Sequence, residues 1–311
     1  MPYAVQYDEF GSPDVLQFVE VDPLVPDRDQ VVIETRAIGV NPAEVKRRAG
    51  GRWPKPPTFP VRPGGDAAGV VVAVGADVSD FAVGDEVVGR NLAGAYAEQV
   101  LAAPSNLLHK PTALSFDEAT LLGIPVGTAY QVLVSTGVGS DDTVLIHGAA
   151  GGVGQAAVQF ARHLGAKVIG TARAARHGRL REIGATPVEY GPGLVDRVRA
   201  AAPGGITVAF DTAGTEEALQ SSLDLVPDRD RIVTVAAVDA APTWGVRSYS
   251  GNNLTPEQAE LRRNAAPLAL ELWARGEFSF EVGERYALKD AAAAHRQSES
   301  RVVVGKIVLI P

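Results

Sequence analysis

The sequence predicts an α/β protein in two parts, a small β-barrel or sandwich and a doubly wound parallel sheet. From residue 143 onward, short apolar runs alternate with amphipathic helix patterns, the order that builds a parallel sheet covered by helices. Residues 1–110 differ. They carry short strand-like runs at close spacing, punctuated by Pro23, Pro26, Pro42, Pro54, Pro56, Pro57, Pro60 and Pro63, a texture of barrels and sandwiches. A chain of 311 residues with 46% hydrophobic content has room for two cores.

Taken in order, residues 31–40 (VVIETRAIGV) read as one long strand or a strand pair, and 68–74 as a Val-rich strand. Asn41-Pro42-Ala43-Glu44, followed by 45–49, reads as a short helix with an Asn cap and proline at its first position. Residues 84–89 place a strand beside tight turns. Ser115-Phe116-Asp117-Glu118 opens a helix with a capping-box pattern leading into 119–122. Gly123-Ile124-Pro125-Val126-Gly127-Thr128 interrupts it, and 129–136 is helical again. Strands are then expected at 144–146, 167–170, 187–190, 206–210 and 231–235, with helices at 157–164, 175–183, 194–201 and 215–223 between them. Residues 243–249 could add an edge strand. The tail holds a helical stretch at 256–275, a strand-like 278–282, an Ala-rich helix at 288–297 and a final strand at 302–309. This tail has no slot in a doubly wound domain that ends near residue 250.

The chemistry concentrates in Ala149-Ala150-Gly151-Gly152-Val153-Gly154, which follows one strand and opens a helix. A glycine turn in that position lets a backbone approach a pyrophosphate, and the helix start offers unpaired N–H groups and a positive dipole end. In the G-x-G-x-x-G register the three slots are Ala149, Gly151 and Gly154, so alanine replaces the first glycine. The same pattern can serve helix–strand packing alone; its place between strand and helix favours a dinucleotide.

The end of the next strand selects the dinucleotide. NAD sites carry an acid about 20 residues after the first glycine. Here the stretch is Thr171-Ala172-Arg173-Ala174-Ala175-Arg176, with Arg179 one turn later and no acid. Arginine pairs with a 2′-phosphate, so NADP(H) is expected, with Arg173 as leading contact and Arg176 beside it. A solvated basic helix start is the alternative. The carboxyl ends of strands line the crevice of such sheets, which adds Asp211 and the stretch Val235-Ala236-Ala237-Val238, with Ala236 and Val238 facing the nicotinamide.

Other chemistries are disfavoured. With no cysteine and five histidines lacking any i, i+4 pair, disulfides, thiolate chemistry and a catalytic zinc are not expected. No G-x-S-x-G or S-x-x-K pattern offers an acyl-transfer nucleophile. A net charge of −8 does not favour a nucleic-acid partner. No apolar run has membrane-spanning length. The stretch MPYAVQYDEFGSPDV has neither the basic nor the apolar region of a secretory signal, so a cytoplasmic location is expected.

The combined motifs carry a resemblance. They are Asn41-Pro42-x-Glu44, Pro63-Gly64-Gly65-Asp66-Ala67-Ala68-Gly69-Val70, Gly84-Asp85-x-Val87, Gly94-Ala95-Tyr96-Ala97-Glu98, Gly127-Thr128-Ala129-Tyr130, the His147–Gly154 turn and Gly305-Lys306-Ile307-Val308-Leu309. In this order, over essentially the whole chain, they resemble the medium-chain dehydrogenase/reductase superfamily, and within it the zinc-independent quinone oxidoreductase (zeta-crystallin-like) branch. Where zinc alcohol dehydrogenases read Gly-His-Glu-x-x-Gly, this chain reads Gly64-Gly65-Asp66-Ala67-Ala68-Gly69, without the histidine ligand.

The resemblance implies a GroES-like β-barrel domain from 1–122 and 256–311, a Rossmann NADP-binding domain from 123–255, and a homodimer pairing through 243–249. It implies hydride transfer from NADPH to a quinone or α,β-unsaturated carbonyl. It places Asn41 near the nicotinamide or the substrate carbonyl, where an amide donor could steady an enolate-like oxygen, and Thr128 on the nicotinamide side. Asn41 can equally be only the helix cap, and Thr128 a buried hydroxyl bonded to its own helix. Trp53, standing where thioester reductases of the superfamily carry a tyrosine, would wall the pocket beside Tyr130; both rings can also be ordinary packing. An enoyl-thioester or other double-bond reductase, and a cofactor-binding protein with little turnover, remain alternatives.

Overall fold

The computed structural model describes residues 1–51, 55–251, 254–300, 302 and 304–311. Trp53 therefore lies outside the described residues. The chain forms two compact units, Met1–Ile124 with Phe280–Pro311, and Pro125–Ser279.

The first unit begins with β1 (Tyr3–Gln6), β2 (Gln17–Glu20), β3 (Val31–Gly39), α1 (Pro42–Arg48), β4 (Asp66–Val74), β5 (Glu86–Arg90), β6 (Gln99–Ala102), β7 (Leu107–His109) and α2 (Phe116–Ala119). α3 (Ile124–Ser135) leads into the second unit, which continues with β8 (Thr143–His147), α4 (Gly152–His163), β9 (Lys167–Thr171), α5 (His177–Glu182), β10 (Thr186–Val188), α6 (Leu194–Ala201), β11 (Val208–Asp211), α7 (Glu216–Leu225), β12 (Ile232–Thr234), α8 (Ala241–Trp244), β13 (Arg247–Ser248) and α9 (Pro256–Ala274). β14 (Val282–Ala287), α10 (Ala291–Glu299) and β15 (Lys306–Ile310) complete the first unit.

In the first unit a seven-stranded sheet runs β14-β15-β3-β4-β5-β7, with β6 also paired to β3. Its strands are antiparallel except for β14 beside β15. The C-terminal strand finds its slot here: Val308 and Leu309 pair with Gly39 and Ile38. Ile33, Ile38, Val71, Val87, Tyr96, Ile307 and Leu309 share one buried cluster. β3, β5 and β15 are buried over runs of consecutive residues rather than in alternation, so both of their faces are covered.

The second unit is a parallel six-stranded sheet in the order β10-β9-β8-β11-β12-β13. Strand order reverses between β8 and β11, where a doubly wound sheet opens its ligand crevice. The chain leaves this unit at 279/280 rather than 255/256, because α9 stays with it. Arg262 on α9 donates to Gln131 on α3 at 3.4 Å, and Gly127 of α3 lies against the Arg262 backbone.

Three local expectations change. The break expected over residues 123–128 is confined to Gly123: the helical stretch before it ends at Leu122, and residues 124–128 already form the first turns of α3. A Cβ at Gly123 would fall 1.9 Å from Asp66 Oδ1, so only glycine lets this carboxylate reach the helix start, where it accepts the Ile124 N–H at 3.1 Å. Pro125 is tolerated in that first turn because its missing N–H would be unpaired anyway. The edge strand expected over 243–249 is only two residues long: Thr243 and Trp244 close α8, and Gly245 turns the chain at φ +63°. The strand expected at 278–282 begins only at Val282, where pairing with β15 starts.

Candidate active site

The second unit carries the dinucleotide-type turn. The left-handed residue of this turn is Gly148, at φ +69°, one position before the Ala149 slot. Among the described non-glycine residues only Asn91 has a positive φ, so the Ala149 methyl is unstrained; it lies fully buried. Gly154 serves close packing, because a Cβ there would meet Gly148 O at 2.3 Å and Ala149 Cα at 2.7 Å. Gly151 is different. A Cβ there would meet nothing nearer than Gly148 O at 3.5 Å, so its missing side chain leaves open space rather than filling a packing contact. Ala150, Gly151, Gly152 and Val153 are half-buried, and α4 starts from Gly151 as its cap. The first-turn N–H groups have no partner within the helix. A pyrophosphate fits this cradle.

We expect Gly151→Ala to leave the melting temperature of the protein unchanged within about 1–2 °C, while weakening NADPH binding at least roughly tenfold through the methyl placed in this opening. Thermal unfolding without cofactor and a fluorescence titration check the two halves.

The strand ends around the turn hold two kinds of residue. Thr171 is buried, and its hydroxyl accepts the Gly148 N–H at 3.3 Å, so it props the turn from beneath. Asp211 is also fully buried. One carboxylate oxygen accepts the Ala213 and Gly214 N–H groups, each at 2.9 Å, and the other accepts the Thr234 hydroxyl at 2.6 Å. Thr234 in turn accepts the N–H groups of Ala236 and Ala237. Asp211 therefore shapes the two loops after β11 and β12 from within, and its carboxylate is committed. Ala236 and Val238 are half-buried in the loop after β12. His147 lies under the turn, its imidazole pushed down to about 4 by burial and hence neutral at neutral pH.

Arg173 is exposed one residue past Ala172 at the end of β9, and Arg176 is half-buried one turn on. Arg173 Nε donates to the Tyr190 hydroxyl at 2.7 Å. Tyr190 was not among the expected site residues; its only sequence signal is that it follows the end of the next strand. Thr128 is buried on α3. Tyr130 stacks at a tilt on Phe160, ring centroids 5.1 Å apart, and Phe160 stands 5.0 Å from Phe278. Tyr130 is thus tied into an aromatic cluster of the second unit.

The first unit gathers a buried charge cluster. Asn41, Glu44, Asp66 and Lys306 are each less than a tenth exposed. Glu44 accepts the Asn41 backbone N–H, the reciprocal half of a capping box. The Asn41 carboxamide donates to Glu44 Oε1 at 3.1 Å and to Asp66 Oδ2 at 2.9 Å, while its oxygen accepts from Lys306 Nζ. Lys306 Nζ also lies 3.6 Å from Asp66. Burial pushes Glu44 up to about 7, with the Lys306 ammonium pulling it down and the Asp66 carboxylate adding to the rise. Burial likewise raises Asp66 and lowers Lys306.

This geometry corrects the donor role expected for Asn41. A carboxamide has two hydrogens, and both are held by buried carboxylates. The Asn41 carboxamide therefore has no hydrogen left for an enolate-like oxygen. Among the described residues no cluster of three or more His, Cys, Asp or Glu could hold a metal.

Comparison with known proteins fits this geometry. Residues 27–136 match the alcohol dehydrogenase GroES-like domain, and residues 152–264 the zinc-binding dehydrogenase family. Human quinone oxidoreductase is 43% identical over a segment covering 54% of this chain and 52% of that protein. The quinone oxidoreductase of Pseudomonas aeruginosa is 31% identical over the full length of both chains. The crystal structure of Escherichia coli quinone oxidoreductase complexed with NADPH superposes with a TM-score of 0.85, at 30% identity, covering 99% of this chain and 100% of that one. The chain belongs to the zinc-independent quinone oxidoreductase branch of the medium-chain dehydrogenase/reductase superfamily, a family of NADP(H)-binding oxidoreductases.

Proposed function

We propose that this protein reduces quinones and α,β-unsaturated carbonyl compounds with NADPH. The observation that carries the cofactor half is Arg173 beside Tyr190 at the end of β9, where an NAD site would present an acid. The quinone half is supported by the named relatives.

A bound NADPH supplies a hydride, and one proton from water completes reduction of a quinone to its hydroquinone. The chain's own residues do the binding and orienting. The open Gly151 position and the α4 start receive the pyrophosphate, and Arg173 and Arg176 pair with the 2′-phosphate. Ala236, Val238 and Thr128 are assigned to the nicotinamide side. Asn41 holds Glu44, Asp66 and Lys306 together rather than touching the substrate oxygen. Trp53 and Tyr130 are assigned to the substrate side. The protein acts in the cytoplasm as a homodimer, with β13 as the pairing edge; among the described residues no helix is long and apolar enough to cross a membrane.

The test is loss of reduced-nicotinamide absorbance with a panel of benzoquinones, naphthoquinones, enones and CoA-linked enoyl thioesters. Turnover is expected with quinones and enones. Tight NADPH binding without turnover, or a preference for the thioesters, would overturn the reading.

A further inference from the structure

Arg179 is the third arginine after β9, and by sequence position it belongs with the 2′-phosphate group. The structure turns it elsewhere. Its Nε donates to Gln155 Oε1 at 3.0 Å, Nη2 donates to Ser279 Oγ at 2.8 Å, and Nη1 stands 3.6 Å from Glu182. All three nitrogens are thus directed at protein partners, and the side chain is only 18% exposed. No edge of the guanidinium is left for the forked grip an arginine makes on phosphate.

The partner of Arg179 leads to the turn. Gln155 is buried in the first turn of α4, and its Nε2 donates to the carbonyl oxygen of Ala150 at 2.9 Å. A glutamine amide has one acceptor end and one donor end. With Arg179 on the oxygen, the NH₂ end must face Ala150. That bond points the Ala150 carbonyl at Gln155 and so sets the plane of the Ala150–Gly151 peptide, next to the open position at Gly151. The far end is anchored too. Ser279 N–H donates to Gln159 Oε1 at 2.7 Å, and Gln159 Nε2 donates back to Ser279 O at 3.1 Å.

We propose that Arg179 and Gln155 are positioning residues for the dinucleotide. Arg179 fixes the flip of the Gln155 amide, and Gln155 holds the pyrophosphate turn in its receptive shape. The proposal rests on the NADP(H) reading of the turn. It makes Arg179 indifferent to the 2′-phosphate, unlike Arg173.

The experiment measures dissociation constants of NADPH and of NADH by fluorescence titration, with melting temperatures taken in the absence of cofactor. Arg179→Ala and the near-isosteric Gln155→Leu should each weaken both cofactors by the same factor, about tenfold, the worth of one buried hydrogen bond to a charged group. The double variant should lose little more than either single one, because both break one relay. Arg179→Lys should not rescue, since an ammonium lacks the fork that spans Gln155 and Ser279. Arg173→Ala, in the same titrations, should weaken NADPH alone. Selective loss of NADPH in Arg179→Ala would make Arg179 a phosphate ligand and overturn the proposal. So would unchanged affinities, or losses that simply add in the double variant. Should Arg179→Ala fail to fold, Gln155→Leu carries the same comparison. If the parent protein binds neither cofactor, the NADP(H) reading itself fails, a result distinct from any of these.

Discussion

Lys306→Met should destabilise the first unit by about 3–5 kcal/mol at neutral pH, the usual cost of removing one partner from a buried ion pair. The ammonium holds the Asn41 carbonyl oxygen and lies 3.6 Å from Asp66, all of them buried. Without it, Asp66 and Glu44 face each other in a low-dielectric interior with only the Asn41 amide between them. The pH dependence gives the prediction its sign. Glu44 titrates near 7 in the folded protein, above the value near 4.5 that an unperturbed carboxyl has. Between those values the folded state binds more protons than the unfolded state, so stability falls as pH rises from about 4.5 to about 7. Removing Lys306 raises both carboxyl groups further. The variant should therefore regain much of its lost stability at pH 5, and Glu44→Gln in the same background should restore part of it at pH 7.5. Chemical denaturation at the two pH values checks this. A variant equally destabilised at both would separate Lys306 from the carboxylates.

Arg173→Ala should weaken NADPH binding by about 30-fold, or about 2 kcal/mol, and leave NADH within about twofold. Arg173 is exposed, and its Nε is oriented by the Tyr190 hydroxyl, which leaves the two terminal nitrogens for a phosphate. The effect should shrink at high salt, as expected for a partly solvated ion pair. Equal losses for both cofactors would remove Arg173 from the 2′-phosphate site.

The sequence was most legible where the deciding interactions are local. The βα alternation, the glycine turn and the arginines after β9 all lie within short stretches whose periodicity and composition announce them. The tail strand fits the first unit through Val308 and Leu309, a place suggested both by its lack of a slot in the doubly wound sheet and by the resemblance. What stayed hidden depends on distant partners. Asn41 looks like a helix cap with a spare amide until Lys306, 265 residues away, and Asp66 are brought to it. Asp211 looks like a crevice acid until Thr234 and two loop N–H groups occupy it. Gly123 does break the helical run, but nothing nearby in sequence announces the Asp66 carboxylate that needs the space beside it. Alanine stands in the first glycine slot without strain, because the positive φ of the turn belongs to Gly148, one residue earlier.

The buried cluster also gives the first unit a built-in chemical reporter. An amine 3% exposed and bonded on its charged end cannot be reached by water-borne acylating reagents, and it is a poor nucleophile while protonated. Lys306 should resist modification as long as β15 stays in its sheet and react only when that strand peels away. The rate at which mass is added at this one side chain then times the opening of the strand that joins the end of the chain to its beginning.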